Sequence, residues 1–198
     1  MGITAKDVAA LRERTGAGMM DCKKALEETN GDLDKAIELL RSKGAAKAEK
    51  RSGRQTKEGV IGSYIHHNGK IAVLVEINCE TDFVARTDDF QQLGKSLAEH
   101  IAAAAPLAVD KDQVPQEKVE SERRIFVQQV KDEGKPDHLI DKIVEGKIQA
   151  FYKDVALMHQ MWVRDPQKSI ADLVKEVSAK TGENVQVRRF VRYQLGEA

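Results

Sequence analysis

The spacing of apolar residues along the chain changes period three times, and each period predicts a different kind of element. At the start the spacing is helical. Val8 and Leu11 give one apolar stripe to a first helix. Its start is marked by a capping box, Thr4-Ala5-Lys6-Asp7, with Ile3 and Val8 placed as a hydrophobic staple. Gly16-Ala17-Gly18 breaks that helix, and Met19-Met20 precede a second one carrying Cys22, Ala25 and Leu26. Asn30-Gly31 stops the second, and Asp32 opens a third with Leu33, Ala36, Ile37 and Leu40 on one face. These three predict a small helical bundle over residues 1–43, near the lower size limit for a core of its own. Residues 44–58 are polar, basic and punctuated by glycine, which reads as a linker, part helical and part flexible.

The period then becomes two. Val60 to His66 and Lys70 to Cys79 predict the strands of a hairpin turning at Asn68-Gly69. Ile71-Ala72-Val73-Leu74-Val75-Glu76-Ile77 is apolar at almost every position and predicts a strand largely buried on both faces. His66 and His67, consecutive on the first strand, are expected on opposite faces, where they do not readily share a metal. Either is placed to contact a partner near the turn.

Helical spacing returns at Phe90, Leu93, Leu97 and Ile101, an amphipathic helix ending before Pro106. Over residues 116–158 two seams, Val119-Arg123-Phe126-Val130 and Val144-Ile148-Phe151-Val155-Met158, flank the turn Gly134-Lys135-Pro136. Steps of three and four on both sides predict an antiparallel coiled-coil hairpin, projecting as an arm. A helix after Ser169 bears Ile170, Leu173, Val174 and Val177 and stops at Gly182. The last strand puts Val185, Val187, Val191, Tyr193 and Leu195 on one face, with Arg189 interrupting it, and Arg188, Phe190 and Arg192 on the other. The fold class expected is α+β: a bundle at 1–43, a basic linker at 44–58, and a core at 59–198 of antiparallel sheet and helices with the inserted coiled-coil hairpin.

Composition narrows the function. Lysine and arginine balance aspartate and glutamate at 32 each, so no global charge draws the chain to nucleic acid or a membrane. Cys22 and Cys79 are too few and too far apart for a disulfide framework or a zinc site, which fits a reducing compartment. Met1-Gly2-Ile3-Thr4 lacks an apolar signal region, and no run approaches the roughly 18 apolar residues of a membrane helix. The expectation is a cytoplasmic protein.

The candidate chemistry gathers at Asn78-Cys79-Glu80-Thr81-Asp82-Phe83-Val84-Ala85-Arg86, where the apolar strand gives out into an acid, a hydroxyl, a second acid and a Phe. One reading makes Thr81 or Asp82 a helix cap and sends Phe83 into the core. The other holds these groups rigidly at the surface for function. A magnesium site through Asp82, Asp88 and Asp89 is a weak alternative, because one strand end supplies no organised octahedral set. Nucleophile-base signatures are absent, Cys22 lies on an apolar helix face, and Cys79 beside Glu80 lacks electropositive surroundings. An enzyme is not expected, nor a cofactor or bound metal. Gly16 and Gly18 echo half a phosphate loop, but no Lys-Ser or Lys-Thr follows, so no nucleotide site is expected in this chain. The basic linker residues Lys47, Lys50, Arg51, Arg54 and Lys57 read as a solvated face. The Arg188–Tyr193 strand allows RNA stacking, although a wet sheet face or a subunit contact is the commoner use.

Three stretches carry a resemblance: Leu11 to Leu26, Asn78 to Arg86, and Arg189-Phe190-Val191-Arg192-Tyr193-Gln194-Leu195-Gly196-Glu197. In this order, with the coiled-coil hairpin between the last two, they resemble the elongation factor Ts family, in its short bacterial form. The resemblance implies that the bundle is a ubiquitin-associated-like domain docking on the nucleotide-binding domain of elongation factor Tu, with Arg12, Met19 and Met20 as docking residues, joined by His66 and His67. It implies that Thr81, Asp82, Phe83 and Val84 displace magnesium and release GDP for exchange with GTP. It also implies a homodimer in a two-plus-two complex, with no direct contact to nucleic acid and none to membranes. Met161-Trp162-Val163-Arg164 departs from the family's more usual Pro-Phe pair. Two other readings stand beside it: an RNA- or ribosome-binding protein, and a ubiquitin-associated-type adaptor whose core only dimerises.

Overall fold

Thr4, in extended backbone, accepts a hydrogen bond from the Asp7 amide, and the Asp7 carboxylate accepts one from the Thr4 amide, so the capping box forms as its sequence predicts. In the computed structural model, which describes residues 3–197, it opens helix α1 (Ala5–Thr15). Met1, Gly2 and Ala198 lie outside the described residues. There follow α2 (Met19–Glu28), α3 (Leu33–Arg51), β1 (Glu58–Ile65), β2 (Ile71–Cys79), the one-turn α4 (Asp82–Ala85) and α5 (Asp88–Ala104). Then come α6 (Gln116–Asp132), α7 (Asp137–Val155), β3 (Met161–Trp162), β4 (Asp165–Ser169), α8 (Ile170–Thr181) and β5 (Gln186–Gln194). The chain divides into two compact units, one of Met1–Ile61, Ile77–Gly94 and Asp172–Gln186, the other of Gly62–Glu76, Lys95–Ala171 and Val187–Ala198.

In the first unit, α1 to α3 bury Val8, Leu11, Cys22, Ala25, Leu26 and Ala36, with Ile3, Leu33, Ile37 and Leu40 packed against them. Gly16 ends α1 in the left-handed conformation, φ 66°, where a side chain is strained. The helical part of the expected linker belongs to α3, which continues unbroken to Arg51. Residues 45–50 are helix-forming types, and at Gly44 the absent side chain lets the helix approach α8, since a Cβ there would stand 3.1 Å from that of Ala179. The basic linker residues Lys47, Lys50, Arg54 and Lys57 are exposed, as expected of a solvated face, and Arg51 is half-buried, but three of the five also find partners within the chain. Lys47 pairs with Asp21 at 3.2 Å, Arg54 with Glu80 at 3.4 Å, and Arg51 donates to the Ser178 carbonyl at 3.3 Å. Further on, Gly59 is required by close approach, because a Cβ would meet the Ile77 carbonyl oxygen at 2.1 Å.

In the second unit the hairpin closes with the His66 amide donating to the Ile71 carbonyl at 2.9 Å. β1 stops at Ile65, so His66 and His67 lie in the turn and not on the strand. Their rings come together, centroids 4.3 Å apart, which corrects the expectation of opposite faces: His66 makes the closing bond of the hairpin and His67 lies past it, where strand alternation no longer applies. β5 lies beside β2, in the sheet order β1-β2-β5. Its end meets the start of β2, where Leu195 donates to the Lys70 carbonyl, and Arg189 pairs with Glu76 further along, so the two strands run antiparallel. Val73 and Val75 are fully buried, but Leu74 between them is 49 % exposed. The expectation of burial on both faces is therefore corrected: an antiparallel sheet can leave one face open.

The helical hairpin of α6 and α7 buries Val119, Val130, Ile140, Val144 and Ile148, with Phe126, Phe151 and Val155 partly buried against them. Arg123, the polar member of the seam, lies exposed and pairs with Glu145 at 2.9 Å. Met158 lies outside the seam, because α7 ends at Val155 and the chain enters a short 3₁₀ turn, Leu157–His159. Beyond it, Met161 and Trp162 pair with Ser169 and Asp165 in a small two-stranded sheet. His100 of α5 is fully buried beside this sheet; its Nε2 faces the Gln160 side-chain oxygen at 2.9 Å and its Nδ1 accepts the Val163 amide at 3.3 Å. Among the described residues no helix is long and apolar enough to cross a membrane.

Candidate functional site

β2 ends at Cys79, whose thiol donates to the Thr81 carbonyl at 3.1 Å. Burial, and then the charge of Glu183, push that thiol up to about 11, so it is no nucleophile near neutral pH. Thr81 stands in extended backbone and its hydroxyl oxygen accepts from the Val84 amide, capping α4. The cap reading and the surface reading therefore hold together. Val84 and Ala85 anchor the turn in the first unit's interior, and Phe83 is turned outward, 78 % exposed. The expectation that a cap would carry Phe83 into the core is not met: on a single turn, burying Val84 and Ala85 aims the residue before them at solvent.

Both ends of this turn are tied down. After it, the Thr87 hydroxyl and the Gln91 side-chain amide donate to the Val84 and Ala85 carbonyls, each at 2.8 Å. Before it, Glu183 reaches across from the turn after α8. One of its oxygens accepts the Glu80 and Thr81 amides at 3.0 Å each, and the other accepts the Thr81 hydroxyl at 2.6 Å. Glu80 returns the exchange, accepting the Asn184 amide at 2.7 Å.

Asp82 is half-buried and pairs with Arg86 at 2.7 Å, and Asp89 pairs with Lys180 at 3.2 Å. Two members of the weighed magnesium set are thus occupied by cations, and no cluster of three His, Cys, Asp or Glu side chains that could hold a metal occurs among the described residues. Met19 and Met20, at the start of α2, are 57 % and 63 % exposed, and Arg12, in the last turn of α1, is exposed as well. The structure thus gathers Thr81–Val84 in one turn and Arg12, Met19 and Met20 beside the Gly16–Gly18 break. His66 and His67 belong to the second unit, where the Tyr64 hydroxyl lies 3.0 Å from His66 Nδ1. On β5, Arg188 and Arg189 both pair with Glu76, and Arg192 pairs with Glu197. Each of those cations has an internal acid partner, two of them sharing Glu76, which weakens the RNA reading.

Sequence reasoning missed Glu183 and Asn184, and it named Arg54 without its partner Glu80. The local signal was a turn, Gly182 at φ 75° followed by an acid, which marks the end of α8 but not where that acid reaches. Its partner Thr81 is 102 positions away along the chain.

Comparison with known proteins gives a family. The family model described as Elongation factor TS matches residues 4–197. The chain is 58 % identical over 197 residues to elongation factor Ts of Fervidobacterium nodosum, covering 100 % of both. It is 55 % identical over 195 residues to that of Thermosipho melanesiensis, covering 98 % of this chain and 100 % of the relative. It is 56 % identical over 196 residues to that of Nitratidesulfovibrio vulgaris, covering 99 % of this chain and 98 % of the relative.

Proposed function

The chain belongs to the elongation factor Ts family, and on that premise we propose that it binds elongation factor Tu carrying GDP, displaces magnesium and promotes exchange of GDP for GTP. The observation that carries the mechanism is Phe83, 78 % exposed on a turn anchored at both ends. A rigid ring presented this way is suited to insert between helices beside the partner's nucleotide site. Only contacts made better in the nucleotide-weakened state shift the partner toward it. Burying one Phe is worth about 1.5–3 kcal/mol, enough for roughly a 10- to 150-fold loss of nucleotide affinity. Asp82 competes for polar groups around the ion, while Thr81 and Val84 hold the pose. No covalent step is involved, and the coupling is reciprocal: bound nucleotide weakens the factor by the ratio in which the factor weakens it.

The three-helix bundle, read as ubiquitin-associated-like, docks through Arg12, Met19 and Met20, the methionines supplying a deformable apolar contact. His66 and His67 add a contact from the hairpin turn. The sheet supports a homodimer, and with it a two-plus-two complex in the cytoplasm. Ile65, Leu74, Val191, Tyr193 and Leu195 are all exposed on the sheet's open face in the second unit, an apolar surface suited to pairing with its own copy.

The test loads purified elongation factor Tu with fluorescent GDP and follows its release by stopped flow in excess unlabelled nucleotide. Acceleration that grows with the concentration of this protein is expected. No acceleration with a complex still visible by gel filtration would leave a binding module, and no complex would return the RNA reading.

A further inference from the structure

We propose that Glu183 is a positioning residue of this site: its carboxylate fixes the Thr81–Val84 turn in the geometry that presents Phe83. The inference rests on the exchange reading above and extends it to a residue 100 positions beyond Phe83 in the chain. α4 has four residues, far below the length at which a helix is stable by itself, so bonds from outside decide whether the turn exists.

Three donors converge on Glu183, the Glu80 and Thr81 amides on one oxygen and the Thr81 hydroxyl on the other. A carboxylate is suited to this arrangement because it only accepts, and charge-assisted bonds are the stronger kind. The hydroxyl bond carries the effect into the helix. By donating to Glu183, Thr81 directs its own oxygen lone pairs elsewhere, and one of them receives the Val84 amide. Glu183 is itself held: the Ser178 hydroxyl donates to its carbonyl at 2.6 Å, and the Asn184 side-chain amide donates to the Ser52 and Arg54 carbonyls at 3.1 and 2.9 Å. A fixed carboxylate, a fixed hydroxyl and a capped turn thus precede Phe83 in unbroken order.

The experiment uses the full chain with Glu183→Ala, Glu183→Gln and, as a remote control, Val144→Ala in the helical hairpin. Release of fluorescent GDP from elongation factor Tu is measured across factor concentrations, giving a maximal rate and a half-saturating concentration. Amide hydrogen exchange at Thr81 and Val84 is measured in the free protein. Glu183→Ala is expected to lower the maximal rate about tenfold or more as pre-organisation is lost, while docking through the bundle keeps the half-saturating concentration within about threefold. Glu183→Gln keeps one acceptor oxygen but turns an amide group toward the Thr81 hydroxyl, and should fall between, about threefold below wild type. Both variants should speed amide exchange at Thr81 and Val84. Val144→Ala should melt earlier yet keep the maximal rate and the protection of both amides.

Wild-type rate and wild-type protection in both Glu183 variants would overturn the proposal. So would a rate loss in Val144→Ala equal to that of Glu183→Ala at a matched drop in melting temperature, since this would mean a general stability effect. Should the wild-type chain fail to accelerate release, the exchange reading falls, and amide exchange then decides alone: unchanged protection at Thr81 and Val84 rejects Glu183.

Discussion

Phe83 and Val84 are successive residues of one helical turn with opposite surroundings, the first 78 % exposed and the second 9 %. Removing Phe83 should therefore cost function without fold, and truncating Val84 should cost fold. Phe83→Ala is expected to slow nucleotide release tenfold or more while stability stays within about 0.5 kcal/mol, as for other surface changes. Val84→Ala is expected to destabilise by about 1–2 kcal/mol through lost burial. Stopped-flow release and thermal melting on both variants check this; unchanged release in Phe83→Ala removes it from the mechanism.

Met19 and Met20 leave most of their surface in solvent at the start of α2. The pair Met19→Ala and Met20→Ala should leave the melting temperature near wild type and weaken the complex with elongation factor Tu by about tenfold or more. Titration calorimetry measures it, and wild-type affinity would argue against docking through this edge of the bundle.

Leu74 and Tyr193 are both exposed on the open face of the sheet in the second unit. If that face joins two copies, a like charge on each side of a two-fold contact is unfavourable twice over. Tyr193→Asp should shift sedimentation from dimer to monomer at micromolar concentration, with circular dichroism unchanged. A wild-type chain that sediments as a monomer throughout would dispose of the homodimer.

His100 is buried and neutral, and burial holds it below its ordinary value of 6.5. The unfolded chain therefore takes up a proton here before the folded chain does. The stability linked to His100 is fully present above about pH 6.5 and is lost as the pH falls below it, by at most about 1.4 kcal/mol per pH unit. Chemical denaturation between pH 7.5 and 5.5 should give a steeper loss for wild type than for His100→Gln. Parallel curves for the two proteins would count against it.

Much of this was legible in the sequence because the signals are local. A capping box spans four residues, a glycine stop one, and a helical stripe repeats within a few turns, so Thr4, Gly16 and the α5 stripe from Phe90 to Ile101 were readable in place. The errors arose where a neighbour far away in the chain decides. Stopping β1 one residue earlier moved His66 and His67 from a strand to a turn and put their rings together. Leu74 looked like a core residue because composition does not say which face of a strand is covered. The partners of Lys47 and Arg54 were not readable because Asp21 and Glu80 lie 26 positions from each.

By itself the sequence determined the order and kind of the main elements, though not the β3-β4 pair or the run of α3 to Arg51, and it placed Thr81 to Val84 where a strand gives out, because periodicity and capping are properties of adjacent residues. Only the tertiary structure decided that Phe83 points outward, that Asp89 is spoken for by Lys180, and that Glu183 closes on Thr81. Those outcomes depend on which surfaces meet, and contacts between residues 100 positions apart leave no periodic trace in the chain.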